Sequence, residues 1–249
     1  RKGVDLTAGN NFRGFPPRDQ VYPVGATLLC GRKGRASQFG EVVDGSLFAQ
    51  DISYFRFLDA LPLLQYGKAL HINAGSGVTS AGLALRLKEL HGVVTAAYSD
   101  ERKYARGKSL HERLGLANST HILAEPKMVK TLETFDSYDL VVVTPTSTHL
   151  GQTRRRPDVS VVFATDTLGL ILAKEDEALL EASFFPAIGG TLAYTVPSVL
   201  KEEGEDRINA FLDQRKNYAL VGQKTIFPFA NGDSDMADGL YYAVLERKW

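Results

Sequence analysis

Three groups of residues in this chain have the types and spacing to do chemistry. Gly75-Ser-Gly77 follows a short apolar run ending at Ile72 and precedes helix-forming residues. A glycine turn between a strand and a helix lets the backbone approach a ligand closely. The helix start adds unpaired N–H groups, so such a turn suits a nucleotide-type ligand. The same turn also forms wherever a strand meets a helix tightly, so the motif alone leaves ligand site and plain turn geometry open. The second group is Arg154-Arg-Arg156, a cation cluster suited to phosphates and equally ordinary as a solvated face. The third is the loop Thr146-Ser-Thr-His149, where a hydroxyl and an imidazole lie close in sequence. A hydroxyl near its free pKa is a poor nucleophile without a base, and a His–Ser pair in one loop is more often coincidence. His71 reads as a satisfied core histidine rather than a ligand or base.

Residues 1–43 carry a fourth signal. Arg1, Lys2, Arg13, Arg18, Arg32, Lys33 and Arg35 oppose only Asp5, Asp19 and Glu41, seven basic residues against three acidic. Phe12, Phe15, Tyr22 and Phe39 interleave with the charges. No regular period runs through Asn11 to Arg18, so an irregular basic arm is expected. Cations with aromatics suit a phosphate backbone and stacked bases, against the plainer reading of a solvated linker.

A compact domain is expected over 44–249. Apolar spacing predicts a helix over Phe48–Leu64, a buried strand over Ala69–Ile72, and a helix from Thr79 or Ser80 carrying Leu83, Leu85, Leu87 and Leu90. Val93–Ala97 reads as a second buried strand. Asp100 caps a helix that runs to Leu114 and closes on Gly115. His121–Leu123 is a short strand, and Leu140–Val143 is a β-branched run typical of a parallel strand buried on both faces. Leu168–Phe185 is predicted helical, with Glu175, Asp176 and Glu177 facing outward. Strand Thr191–Thr195, helix Lys201–Leu212 and strands Thr225–Phe229 and Leu240–Glu246 complete the chain. Strands alternating with helices indicate an α/β fold with a mostly parallel, doubly wound sheet, and the last two strands an antiparallel edge hairpin.

Composition narrows the classes. The 249 residues are 44% hydrophobic with a formal net charge of zero, so any nucleic-acid surface must be local. Cys30 is the only cysteine, which excludes an internal disulfide or a cysteine metal cluster and favours a reducing compartment. No apolar run reaches the ~18 residues needed to cross a bilayer. The chain opens on Arg1, from which a processed N-terminus with a targeting segment out of view is expected.

The order of local features resembles the RNA 5-methylcytosine methyltransferases of the Sun/Fmu and NSUN type. Gly45-Ser-Leu-Phe-Ala-Gln-Asp-Ile-Ser53 resembles their G-x-x-x-x-Q-D-x-S motif. His71–Ser80 falls where the family has D-x-C-A-A-P-G-G-K-T, and Asp100–Gly115 matches the helix after the second strand. Tyr138-Asp139 and Val141–Ser147 sit where it has F-D-x-I-L-x-D-x-P-C-S. Arg155-Arg-Pro-Asp158 resembles R-x-P-D, Gly189–Leu200 resembles G-G-x-L-V-Y-x-T-C-S, and Asp238–Leu245 resembles the closing D-G-F-F-x-A-x-L strand. The resemblance implies a Rossmann-like class I methyltransferase fold.

It also defines what has changed. Family members attack cytosine C6 with a cysteine thiolate, a soft ionisable nucleophile, and use a second cysteine for release. The nucleophile position is Pro197 here, the release position is Thr146, and the neighbouring aspartate is Thr144. The resemblance places S-adenosylmethionine over Gly75, Ser76 and Gly77, with its ribose acid at Tyr98, Asp100 two residues on, and an adenine-side acid at Glu125. Losing the ribose acid removes charge-assisted hydrogen bonds of about 1.5–3 kcal/mol each. Loss of cofactor binding is therefore expected. The expected function is that of a catalytically inactive methyltransferase-like protein that binds rRNA as a structural or assembly component of a ribosome, with mitochondria the favoured location. Partners would be rRNA, ribosomal or assembly proteins and a helical-repeat RNA binder, with no membrane or DNA. RNA contacts are expected from Arg13, Arg18, Arg32, Lys33, Arg35 and Arg154–Arg156, with Lys103, Arg106 and Lys108 on one helix. The alternatives are an active S-adenosylmethionine-dependent enzyme with altered residues and a protein-docking module. A nicotinamide dehydrogenase is disfavoured, because Ser80 stands where its third glycine would fall.

Overall fold

A computed structural model describes residues 21–24, 27–30, 40–46, 48–64, 67–124, 137–163, 167–228 and 237–249. The chain order is β1 (Val21–Val24), β2 (Thr27–Cys30), α1 (Gly40–Val43), α2 (Ile52–Asp59), β3 (Lys68–Ile72), α3 (Val78–Glu89), β4 (Val93–Tyr98), α4 (Glu101–Arg113) and β5 (Ser119–Leu123). It continues with β6 (Tyr138–Val143), a 3-10 turn (Leu150–Gln152), α5 (Asp158–Val162), α6 (Leu168–Ala182), β7 (Pro186–Val196), α7 (Glu205–Gln214), β8 (Tyr218–Ile226) and β9 (Leu240–Arg247).

Seven strands form one sheet in the order β5-β4-β3-β6-β7-β9-β8. The first five run parallel, and β9 pairs antiparallel with both β7 and β8. The order reverses direction between β3 and β6, so the loops leaving their C-terminal ends open the crevice where such sheets hold ligands. Alternate residues feed two cores. Leu70, Ile72, Val141, Val143 and Leu192 pack with Leu179 of α6 and Phe211 of α7. Ala69, Leu140, Val142 and Ala193 pack with Phe57 of α2, Leu83 and Leu87 of α3 and Leu110 of α4. Helices α2, α3 and α4 therefore cover one face, and α6 and α7 the other.

Several elements differ from the sequence reading. The first domain helix spans only Ile52–Asp59: the Asp51 carboxylate accepts from Ser53 N at 3.0 Å and fixes its start. Residues 21–30, read as irregular arm, include the antiparallel β1–β2 hairpin. Strand β8 begins at Tyr218, well before the predicted start at Thr225. It is an edge strand exposed over most of its length, so no buried alternation marks it. Glu175 was expected to face outward and is instead fully buried between α6 and β7.

Candidate functional site

The turn after β3 needs left-handed backbone at three positions, Asn73 (φ 57°), Gly75 (φ 59°) and Gly77 (φ 80°). Gly77 has a second reason to be glycine: a Cβ there would sit 2.7 Å from the Gly107 Cα on α4. The turn is thus seated on α4. The Ala74 N–H donates to the Ala97 carbonyl at 2.9 Å, tying it to the end of β4 as well.

His71 lies under this turn and is 1% exposed. Its Nδ1 is 2.7 Å from Ser80 Oγ and its Nε2 is 3.1 Å from Thr144 Oγ1. One imidazole therefore joins the first turn of α3 to the loop after β6 through two neutral hydroxyls. Burial, aided by the charge of His111, pushes the His71 pKa down to about 3, so the ring is neutral. This is the satisfied core histidine expected from sequence.

Tyr98, expected at the ribose-acid position, is fully buried. Its hydroxyl is 3.1 Å from His121 Nδ1, and its ring stacks on His121 with centroids 5.8 Å apart. A Cβ on Gly107 would fall onto that hydroxyl, so Tyr98 and Gly107 fit as a pair. The adjacent His111 Nε2–H donates to the Gly77 carbonyl at 3.0 Å. Asp100 caps α4, accepting from Lys103 N at 2.8 Å, and pairs with the Lys103 ammonium at 3.0 Å. The acid proposed to stand in at the ribose is engaged with its own helix. Gly75, Ser76 and Gly77 form the expected turn, and Glu125 lies outside the described residues.

The loops after β6 and β7 are locked together by a residue that sequence reasoning missed. Buried Glu203 accepts from Thr148 N at 2.7 Å and from Thr148 Oγ1 at 2.5 Å. Ser198 Oγ donates to the same carboxylate. The Pro197 carbonyl accepts from Gly151 N at 2.9 Å, a second link between the loops. Pro197 is buried and Thr146 is exposed. Ser147 accepts from the His149 backbone N–H at 3.4 Å, so the two side chains do not form a nucleophile–base pair. Beneath Glu203 lies Glu175. Burial, then the charge of Glu203, raises its pKa to about 10, so it is neutral at physiological pH.

The triple arginine is not the free cluster expected. Arg154 reaches Asp238 at 2.9 Å and Asp51 at 3.4 Å. The Arg155 guanidinium pairs with Asp238 and lies 3.8 Å from Asp51. Asp238 N donates to Asp51 at 3.0 Å. The two arginines thereby neutralise two nearly buried carboxylates that join three separate motifs. Arg156 pairs with Asp158 at 3.0 Å on the surface. Arg13, Arg18, Arg32, Lys33 and Arg35 lie outside the described residues. Among the described residues no group of three side chains is placed to hold a metal, and no helix is long and apolar enough to cross a membrane.

With this geometry in place, the likeness to known proteins is specific. Residues 65–245 match the family of 16S rRNA methyltransferases RsmB/F. The chain belongs to the RsmB/F family. A relative, ribosomal RNA small subunit methyltransferase B of Xanthomonas campestris, is 28% identical over 219 residues, covering 84% of this chain and 49% of the relative. The chain thus spans about half the length of that relative. The crystal structure of PH0851 superposes with a TM-score of 0.83 at 20% identity over 92% of this chain and 54% of its own. NSun6 from Pyrococcus horikoshii, crystallised with SFG, gives 0.75 at 16% identity, covering 90% and 60%. Both share the Rossmann-like sheet. Within the RsmB/F family, then, this chain keeps the frame, and its matched residues 65–245 contain no cysteine.

Proposed function

We propose that this chain is a catalytically inactive RsmB/F-type protein that binds rRNA as a structural or assembly component of a ribosome, with the mitochondrial ribosome the favoured particle. The observation that carries the reading is the Ser80–His71–Thr144 chain of hydrogen bonds. By family resemblance two acids would stand at His71 and Thr144 and a lysine at Thr79. Here the same space is closed by a neutral imidazole and two hydroxyls. These replacements stand beside the absence of any cysteine from residues 65–245.

Among the described residues, those around the turn do not fit S-adenosylmethionine. The glycine turn could accept its backbone approach, but a ribose needs a carboxylate acceptor aimed outward. Tyr98 is turned inward onto His121, and Asp100 is committed to its helix. No reaction step is therefore assigned. Isothermal titration of the chain with S-adenosylmethionine tests this directly: no detectable heat is expected, and micromolar binding would sink the inactive reading. Incorporation of a labelled methyl group into rRNA would do the same. Co-sedimentation of the endogenous protein with ribosomal particles, together with organelle fractionation, tests the assignment to a particle and a compartment.

A further inference from the structure

The two helix layers carry opposite charge, although the chain as a whole is neutral. Helices α3 and α4 hold seven basic residues against three acidic, whereas α6 and α7 hold two basic against six acidic besides the buried, neutral Glu175. The layers face opposite sides of the sheet, as their two separate cores show. Most of the basic excess lies on α4. Its inner face is fixed by Gly107 and His111 against the glycine turn. Arg102 and Arg106 stand one turn apart on its outer face, and Lys103 and Lys108 are exposed on either flank of that stripe. Lys103 is shared with Asp100. The side chains of Arg102, Arg106 and Lys108 form no ion pair among the described residues.

We infer that, among the described residues, the outer face of α4 is the phosphate-binding surface for RNA, in place of the Arg154–Arg156 cluster. The inference rests on the rRNA-binding reading above and says where that binding occurs. Arg154 and Arg155 already neutralise Asp51 and Asp238, so binding a phosphate would require them to abandon buried carboxylates. The α4 cations have no such debt. From Arg102 to Arg106 the helix advances about 6 Å, which spans roughly two phosphates of one strand. The acidic α6/α7 layer repels a polyanion, so the field orients RNA toward α4.

The test uses the 249-residue chain and a fluorescein-labelled single-stranded RNA of about 20 nucleotides, read by anisotropy between about 50 and 200 mM salt. One variant combines Arg102→Gln, Arg106→Gln and Lys108→Gln. A control combines Lys174→Gln, Lys216→Gln and Lys224→Gln, which removes the same charge from other exposed positions. The α4 variant is expected to weaken Kd by about ten- to a hundredfold and to reduce the salt slope by about 2. The control is expected to stay within about twofold of the parent. An unchanged α4 variant, or an equal loss in the control, overturns the α4 assignment and leaves RNA binding standing. No binding by the parent at low salt overturns the RNA-binding reading itself. Competition by polyglutamate as potent as that by unlabelled RNA would make α4 a general polyanion surface and overturn its assignment to RNA.

Discussion

Arg154 donates to the Asp238 carboxylate at 2.9 Å, and Asp238 is 1% exposed. A carboxylate that deep needs its cation, and Arg155 supplies a second bond. Removing both arginines through Arg154→Ala and Arg155→Ala should cost about 3–5 kcal/mol of stability, because it strands Asp238 and Asp51. Urea unfolding of the double variant against the parent reads this out. A loss below about 1 kcal/mol would mean that the cluster is a surface feature.

Glu175 predicts the opposite sign. Its folded pKa, about 10, lies above the ordinary 4.5. Below pH 4.5 both states are protonated and nothing is lost; as pH rises, the unfolded state ionises and gains stability that the folded state cannot. Glu175→Gln should therefore stabilise the protein by about 2 kcal/mol near neutral pH, with the gain vanishing toward pH 4. Thermal melts of the two proteins at about pH 4 and about pH 8 should diverge only at the higher value.

The buried histidines set the acid limit. The folded pKa of His71 is about 3 and that of His111 about 4, each down from 6.5. Above 6.5 their contribution is fully present; as pH falls below it, the unfolded chain takes up protons that the folded chain refuses. Each histidine steepens the loss by up to about 1.4 kcal/mol per pH unit, down to its folded pKa. Chemical denaturation from about pH 7 to pH 5 should show a slope that drops by about one proton in His71→Asn. An unchanged slope would place His71 in contact with solvent.

Tyr98 and Gly107 should behave as one unit. Gly107→Ala drives a methyl group into the Tyr98 ring and should cost about 1–3 kcal/mol. In the Tyr98→Leu background the same change should cost less than about half as much. Strict additivity in the double-mutant cycle would show that the ring does not need the glycine.

Reinstating the two cysteines should not restore chemistry. Thr146→Cys combined with Pro197→Cys supplies thiols at the two positions that the family resemblance assigns to cysteine but leaves the Ser80–His71–Thr144 network intact. Methyl transfer from labelled S-adenosylmethionine to rRNA is expected to stay at background. Turnover by this variant would make the cysteines the sole lesion.

Much of the frame was legible because its signals are local. The β-branched run Leu140–Val143 is buried on both faces, and Asp100 caps α4 as its position indicated. The ordered motifs led to the same fold and family that the match over 65–245 gives. What misled was side-chain direction. Glu175 sits in an acidic stretch that reads as solvated, yet the helix turns it inward toward Glu203. Arg154 and Arg155 read as free because their partners, Asp51 and Asp238, lie 103 and 83 residues away in the chain. Glu203 carried no motif signal of its own.

The sequence by itself determined the fold, the family and the absence of cysteine from residues 65–245, since periodicity and residue identity are properties of the chain alone. Only the tertiary structure decided which charges are spent and which are free. Ion pairing and desolvation depend on distance and burial, and those arise when remote segments meet. That is why the arginines at 154 and 155 turned out to be internal ties, and why Arg102, Arg106 and Lys108 of α4 stand exposed with no ion pair among the described residues.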